Sequence, residues 1–448
     1  MTTTGSQTDA TIHDTARRTS RAGDEPRDGP SAWRQRDAAP EPAGSVPSML
    51  APAADAWAWP RPVSAGARWP TDPQQPTGPR IVILGTRGIP ARHGGFETFA
   101  ERLALYLAGR GWRVTVACQA ERSGGPTAWR GIRLNQHRPW SPGPLGAMEM
   151  DVRATTAALR EGADIALTLG YNTAVLGGLL RAARIPHLMN MDGIEWQRAK
   201  WSRPVRGWLW LNERAARFAA DHLIADHPCI ADHLERHAPA GRITVIPYGA
   251  DPVTGADPQP IRARLGLEPG HYVTSIARVE PENSVLELVS AFSRRPRGMP
   301  LVVLGRVDSA GNAYHAAIRA AASAEVIFAG AIYEQDVVTA LRAHATLHVH
   351  GHRVGGTNPS LVEALGAGNA VLAHDNRFNR WVAGDAAAYF HDADGCAAAL
   401  DELLSNPARR LAMQAAARSR HASAFGWDLV LTAYEELLLR WLPARLLS

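Results

Sequence analysis

The densest chemistry in the chain lies between His348 and Leu365: His348-Val349-His350-Gly351-His352-Arg353-Val354-Gly355-Gly356-Thr357-Asn358-Pro359-Ser360-Leu361-Val362-Glu363-Ala364-Leu365. Short apolar residues from Ala345 to Val349 predict a buried strand. Gly355-Gly356 predicts a tight turn that lets backbone approach a ligand closely. Asn358 suits an N-cap, and Pro359 suits the first helical position, where a missing N–H costs nothing. The amides of Ser360 and Leu361 should then point out of the helix end, where the dipole adds to their attraction for phosphate. Glu363 follows within the first turns, a carboxylate able to accept hydrogen bonds from sugar hydroxyls. An ordinary strand–turn–helix unit also needs a glycine and a cap, so the local pattern leaves both readings open.

Other groups could contribute. Gly94-Gly95 precede a helical pattern and can turn amides toward a phosphate, though a tight turn alone needs only one glycine. Glu97 stands either to accept from an acceptor hydroxyl or as a first-turn acid favoured by the helix dipole. Asp192-Gly193-Ile194-Glu195 follows a strand. Asp192 is a candidate to orient an acceptor hydroxyl or to balance positive charge on a sugar, and Glu195 a candidate acceptor contact. An Asp closing a turn before glycine is the plainer alternative. His348, His350 and His352 alternate, so a strand would place them on one face, but no further ligand spacing supports a metal, and polar lining of a cleft is expected instead. Asp392-Ala393-Asp394 spells the acidic pair of metal-dependent transferases, yet it sits before a helical stretch where Asp is a common N-cap. No metal is therefore expected.

The strands that position these groups are legible. Arg80 to Gly85, Arg113 to Cys118, Ile132 to Asn135, Ile165 to Leu169, His187 to Asn190, His222 to Ala225 and Ile243 to Ile246 form a first series, with helices over 96–108, 149–160 and 172–182. Tyr272 to Ala277, Leu301 to Leu304, Val326 to Phe328, Leu347 to His350 and Val371 to Ala373 form a second. The Pro-, Gly- and Asp-rich run from Pro247 to Gly270 reads as a linker, and Trp427 to Trp441 as a last helix. Alternating strands and helices imply parallel β-α-β units, whose ligands sit at the carboxyl ends of the strands. A dinucleotide fold is the natural rival. Its fingerprint is absent: the first loop spaces its glycines at 85, 88, 94 and 95, and the second strand ends in Gln119, not in an acid.

At 448 residues the chain suits two domains. Hydrophobic residues at 45% and charged residues at 20% describe a globular protein. A net charge of +5 favours anionic partners, but no nucleic-acid module is recognisable. Cys118, Cys229 and Cys396 are odd in number and scattered, which suits reduced thiols in a cytoplasm. No apolar run is long enough to span a membrane, and the N-terminus lacks a signal-peptide core. Residues 1–78 read as a disordered tail, in which Asp14, Asp24, Glu25 and Asp28 argue against a transit peptide and Trp57 and Trp59 as linker residues. Arg198, Lys200, Arg203, Arg206, Arg214 and Arg217 surround Trp196, Trp201, Trp208 and Trp210, which suits either an anionic membrane surface or a solvated helix face.

The segments Gly85 to Phe99, Asn190 to Trp201 and His350 to Leu365 resemble family 4 glycosyltransferases, retaining enzymes of the GT-B type, and within them a rhamnosyltransferase branch that builds bacterial capsule and exopolysaccharide. The resemblance implies an α/β fold of two Rossmann-like doubly wound domains facing across a cleft. The domains would be a tail at 1–78, an acceptor domain at 79–250, a nucleotide-sugar domain at 251–425, and a helix at 426–448 returning to the first domain. It implies that Gly94, Gly95, Gly355, Gly356, Thr357, Asn358, Ser360 and Leu361 hold a donor diphosphate, that Glu363 holds the ribose, and that Arg278 neutralises the leaving group. Asp192, Arg278 and Glu363 would carry the reaction, with Glu97 and Glu195 on the acceptor side. Two positions depart from the pattern: Gly355 stands where a second Glu is usual, and Asn283 where a Lys is. The implied reaction moves rhamnose, with retention, from a dTDP- or UDP-linked donor to a lipid-linked glycan at the inner membrane surface, without a cofactor. Rival readings are another GT-B enzyme, such as a nucleotide-sugar epimerase, and a non-catalytic glycan- or partner-binding subunit.

Overall fold

The computed structural model describes residues 77–91, 94–120, 125–139, 143–198 and 200–446. The tail expected over 1–78, with Trp57 and Trp59, lies outside the described residues but for its last two positions.

The first sheet contains β1 (Arg80–Leu84), β2 (Arg113–Gln119), β3 (Ala128–Trp129), β4 (Ile132–His137), β5 (Ile165–Leu169), β6 (His187–Asn190), β7 (His222–Ala225) and β8 (Ile243–Val245). Their order is β3-β4-β2-β1-β5-β6-β7-β8, and every pairing is parallel except β3 with β4. The second sheet contains β9 (Val273–Ile276), β10 (Leu301–Leu304), β11 (Val326–Gly330), β12 (Leu347–His350), β13 (Val371–His374) and β14 (Ala387–Phe390), in the order β11-β10-β9-β12-β13-β14. Both sheets are covered by helices, so their central strands are buried on two faces and read as unbroken apolar runs such as Ile81-Val82-Ile83-Leu84. In each sheet the strand order reverses beside the first strand, between β1 and β5 and between β9 and β12, and the parallel pairing sets the loops after β1, β6, β9 and β12 at the carboxyl edge of their own sheets.

Helix Gly95–Gly109 lays Phe99, Leu103 and Leu107 on the first sheet. Helix Trp427–Trp441 adds Trp427, Val430, Tyr434 and Leu438 to the same core, so the end of the chain braces the first domain. Each such fully buried side chain contributes about 1.5–3 kcal/mol. Tyr434 is tied further: its ring lies 4.6 Å from that of Phe99, and its hydroxyl accepts from Asn190 Nδ2 at 2.7 Å.

Three elements differ from expectation. The segment expected as a plain linker contains helix Gln259–Leu265, closed by Gly266 in the left-handed conformation with Ile261 buried. Its Pro and Gly residues flank two helical turns, which hid them. Strand β14 is partly exposed and rich in alanine, and β3 is two residues long, so neither carries a strand signature. Among the described residues no helix is long and apolar enough to cross a membrane.

Candidate functional site

The loop after β12 becomes helix Pro359–Gly366 through a turn that both domains hold. Asn358 Oδ1 accepts from Ser360 N at 3.0 Å, and Leu361 N donates to Asn358 O at 3.1 Å. This corrects the expectation that these two amides are free for a phosphate: a strong N-cap satisfies them itself. Among the described residues the Gly355 and Gly356 amides donate to nothing, so the turn rather than the cap offers unengaged N–H groups. Gly355 has φ +134°, a conformation that favours glycine and that a Glu at this position would adopt only with strain.

The first domain supports this turn directly. Asp226, just past β7, accepts from Thr357 N at 2.9 Å through Oδ2, and its carbonyl accepts from the Thr357 hydroxyl. Its other carboxylate oxygen is buried without a partner and lies against Gly356. Burial, then the nearby Asp192, pushes the Asp226 carboxyl up to about 8, so it is neutral at pH 7. Nothing in the sequence reading marked Asp226. Its place at the carboxyl end of a parallel strand was the available signal.

A Cβ built at Gly95 would stand 3.0 Å from Pro359 Cγ and 3.7 Å from the Tyr248 ring. The starts of helices Gly95–Gly109 and Pro359–Gly366 therefore meet across the cleft. A Cβ at Gly193 would stand 3.7 Å from Gly355 Cα, so the Asp192 loop closes the same space from a third side. Asp192 is partly buried and left-handed at φ 52°, which Asp tolerates, and its N–H donates to Asn190 Oδ1 at 2.9 Å. Burial, and next the charge of Glu195, raises its carboxyl to about 6. Gly94, Gly95, Asp192, Gly355, Gly356, Thr357, Asn358 and Ser360 thus gather in one place.

Glu363 ion-pairs with Arg342 from the helix before β12 and remains about one-third exposed at 34%. Arg278 is 65% exposed and lies 3.7 Å from Glu280. Asn283, the residue in place of the usual Lys, is buried and donates from Nδ2 to Arg278 O at 2.7 Å; its work is to shape the loop. Glu195 accepts from Arg198 at 2.6 Å and from Trp201 Nε1 at 3.2 Å, while Arg198 also pairs with Glu282 of the second domain.

Glu97 has a different task from the expected acceptor contact. It is buried, and its Oε1 accepts from Arg87 N at 3.1 Å, which fastens the loop after β1. The alternating histidines do share a face, with the His350 and His352 rings stacked at 4.3 Å. His348 and His350 are interior, so only partly exposed His352 reaches the cleft. Burial lowers His348 and His352 to about 3, which keeps both neutral. Asp392 is the N-cap of helix Ala393–Ser405 and Asp394 pairs with Arg294. Elsewhere, Glu213, His233 and His237 bring ligand-type atoms within 4.8 Å of one another. Both Glu213 oxygens are already engaged, by His233 Nε2 at 2.9 Å and Trp196 Nε1 at 2.8 Å, which anchors the loop that carries Asp192.

A glycosyl transferase 4-like domain matches residues 94–249, and a glycosyl transferases group 1 domain matches residues 259–420. No curated protein matches the sequence. Solved structures share the GT-B fold at low identity. Sucrose-phosphate synthase from Thermosynechococcus elongatus aligns with TM-score 0.67 and 20% identity over 81% of this chain and 98% of its own. HepE from Anabaena, solved with UDP-glucose, aligns with TM-score 0.65 and 17% identity over 81% and 100%. A UDP-forming trehalose-phosphate synthase from Burkholderia xenovorans, solved with glucose-6-phosphate, aligns with TM-score 0.61 and 14% identity over 81% and 99%.

Proposed function

Because the chain belongs to the family-4-like glycosyltransferases, its two halves matching their two domains, we propose that the cleft moves a sugar from a nucleoside diphosphate to a glycan acceptor. The observation that carries the donor reading is the meeting of Gly95 with Pro359, which brings the start of one helix and the unengaged Gly355 and Gly356 amides to one space. Such groups suit the diphosphate of a nucleotide sugar. HepE, of the same fold, holds UDP-glucose.

Within this reading Glu363 accepts from the ribose, Arg278 and the glycine amides take up charge on the leaving phosphate, and Asp192 faces the acceptor. Among the described residues no side-chain nucleophile is assigned to a double displacement. The acceptor attacks the face the leaving group departs from, the departing phosphate takes its proton, and configuration is retained. Catalysis then rests on fixed dipoles at the diphosphate. The sugar proposed is rhamnose, from a dTDP or UDP donor. The acceptor proposed is a lipid-linked glycan of capsule or exopolysaccharide assembly, a reading supported by the motif resemblance of the three segments.

The test is donor affinity. Glu363→Ala should weaken binding of UDP and dTDP about tenfold, a loss of about 1.4 kcal/mol, and Glu363→Gln less. A deoxythymidine donor offers only its 3′-hydroxyl, so the Gln variant should be milder for dTDP than for UDP. Unchanged affinity of Glu363→Ala, measured by titration calorimetry, would remove the ribose assignment.

Membrane contact is proposed through helix Arg203–Ala219. It exposes Trp210 at 44%, Leu211 at 48% and Phe218 at 64%, with Arg214 over the Trp210 ring and Arg217 over Phe218. Arg206 and Arg217 also hold the backbone carbonyls of Trp196 and His237, so replacing them would disturb the fold. Replacing Trp210, Leu211 and Phe218 with Ser, together with Arg203→Ser, should cut binding to anionic vesicles severalfold in a sedimentation assay. Each basic residue near such a surface contributes about 1 kcal/mol. Equal sedimentation of the variant would leave only a solvated helix face.

A further inference from the structure

A diphosphate leaving group carries more than one negative charge, and Arg278 is the cation of the loop after β9. Asn283, in the same loop, is turned inward to the Arg278 carbonyl and is buried, and the acids there, Glu280 and Glu282, lie beside Arg278 and Arg198. The opposite wall carries two cations, held very differently. Arg198 is committed, pairing with both Glu195 and Glu282. Lys200 is not: its Nζ lies 3.9 Å from Glu195 Oε2, beyond hydrogen-bond length, and that carboxylate already serves Arg198 and Trp201. Arg278 is placed likewise, 3.7 Å from its nearest carboxylate.

The Arg198–Glu282 pair ties the segment that carries Lys200 to the loop that carries Arg278, so these two cations lie on facing walls of the cleft. Burial lowers the Lys200 ammonium, Glu195 opposes the shift, and Arg198 and Arg278 add to it. Arg353 N donates to Glu282 O at 2.9 Å, so the loop that carries Arg278 borders the donor turn. Lys200 rests over the Trp201 ring at 4.7 Å, and among the described residues neither cation is hydrogen-bonded to a carboxylate, so like charges drawn from two domains make a site for an anion between them.

We propose that Lys200 of the first domain and Arg278 of the second clamp the donor diphosphate between them, Lys200 supplying the cation that Asn283 does not. This rests on the donor reading above. It makes the second positive charge available only when both domains face the nucleotide. Charge neutralisation is thereby tied to closure rather than built into the nucleotide domain alone.

The experiment is calorimetric titration of the full chain with UDP, dTDP, GDP and UMP. Wild type is compared with Lys200→Gln, Lys200→Arg and Arg203→Gln, the last being an exposed basic residue outside the cleft. Lys200→Gln should weaken diphosphate binding about tenfold at low salt, leave UMP within about twofold, and flatten the salt dependence. Lys200→Arg should restore most of the loss, and Arg203→Gln should match wild type. An unchanged melting temperature of Lys200→Gln should accompany these results. Wild-type diphosphate affinity in Lys200→Gln, or an equal loss in Arg203→Gln, overturns the clamp and leaves the donor reading standing. Failure of wild type to bind any of the three diphosphates removes the donor reading and the clamp with it.

Discussion

Gly356→Ala should weaken donor binding by about ten- to a hundredfold and slow turnover at least as much. A Cβ there would overlap both carboxylate oxygens of Asp226. Either the turn lifts off the first domain or Asp226 rotates away and gives up the Thr357 amide it now accepts from at 2.9 Å. Overpacking of this kind costs about 1–3 kcal/mol, and the loss falls on the turn whose glycine amides face the cleft. Gly355→Ala offers a contrast: its Cβ meets open space, and the penalty comes only from φ +134°. A double variant, Asp226→Ala with Gly356→Ala, should recover part of the binding because the overlapping carboxylate is gone. Nucleotide dissociation constants for the four proteins check this. Wild-type affinity in Gly356→Ala would show that the turn does not bind the donor.

Asp192→Asn should reduce kcat by about a hundredfold while leaving UDP and dTDP affinity within about twofold. Asn tolerates the left-handed backbone at φ 52° and keeps the N–H bond to Asn190, so the change removes charge with little change of shape. The same residue sets an expected pH profile. Its carboxyl, raised to about 6, is protonated below that pH and charged above it. If the carboxylate orients the acceptor or balances charge on the sugar, kcat should climb as pH rises through about 6, and the Asn variant should lack that limb. Asp226 beside it stays protonated until about pH 8, which spares Asp192 a second negative neighbour at neutrality. An acid limb that survives in Asp192→Asn would assign the titration to another group.

How far the sequence reached depends on what each signal is made of. Strands β5, β6, β7, β10 and β12 match the apolar runs residue for residue, because strands buried on both faces admit little else. The turn at Gly355-Gly356 and the cap at Asn358 were equally plain, since one backbone conformation asks for a small set of residues. Side-chain destinations were not. Glu97 and Asn283 could each have faced the cleft, and each is instead spent on a nearby backbone group that only the folded loops bring within reach. Asp226 was missed for the converse reason. It meets Thr357 across 131 positions of sequence, and no local pattern records a contact made by the closing of two domains.

The bracing of the first domain by helix Trp427–Trp441 also fixes when that domain can finish folding. Its last strand, β8, ends at Val245, but the layer carrying Trp427, Val430 and Tyr434 is translated roughly 190 residues later. At about 5–20 residues per second the ribosome needs about 10–40 s to deliver it. Throughout that interval Phe99 lacks the Tyr434 ring that covers it and Asn190 lacks its hydroxyl partner. The first domain must therefore wait, incomplete and partly apolar, on a chain still being made.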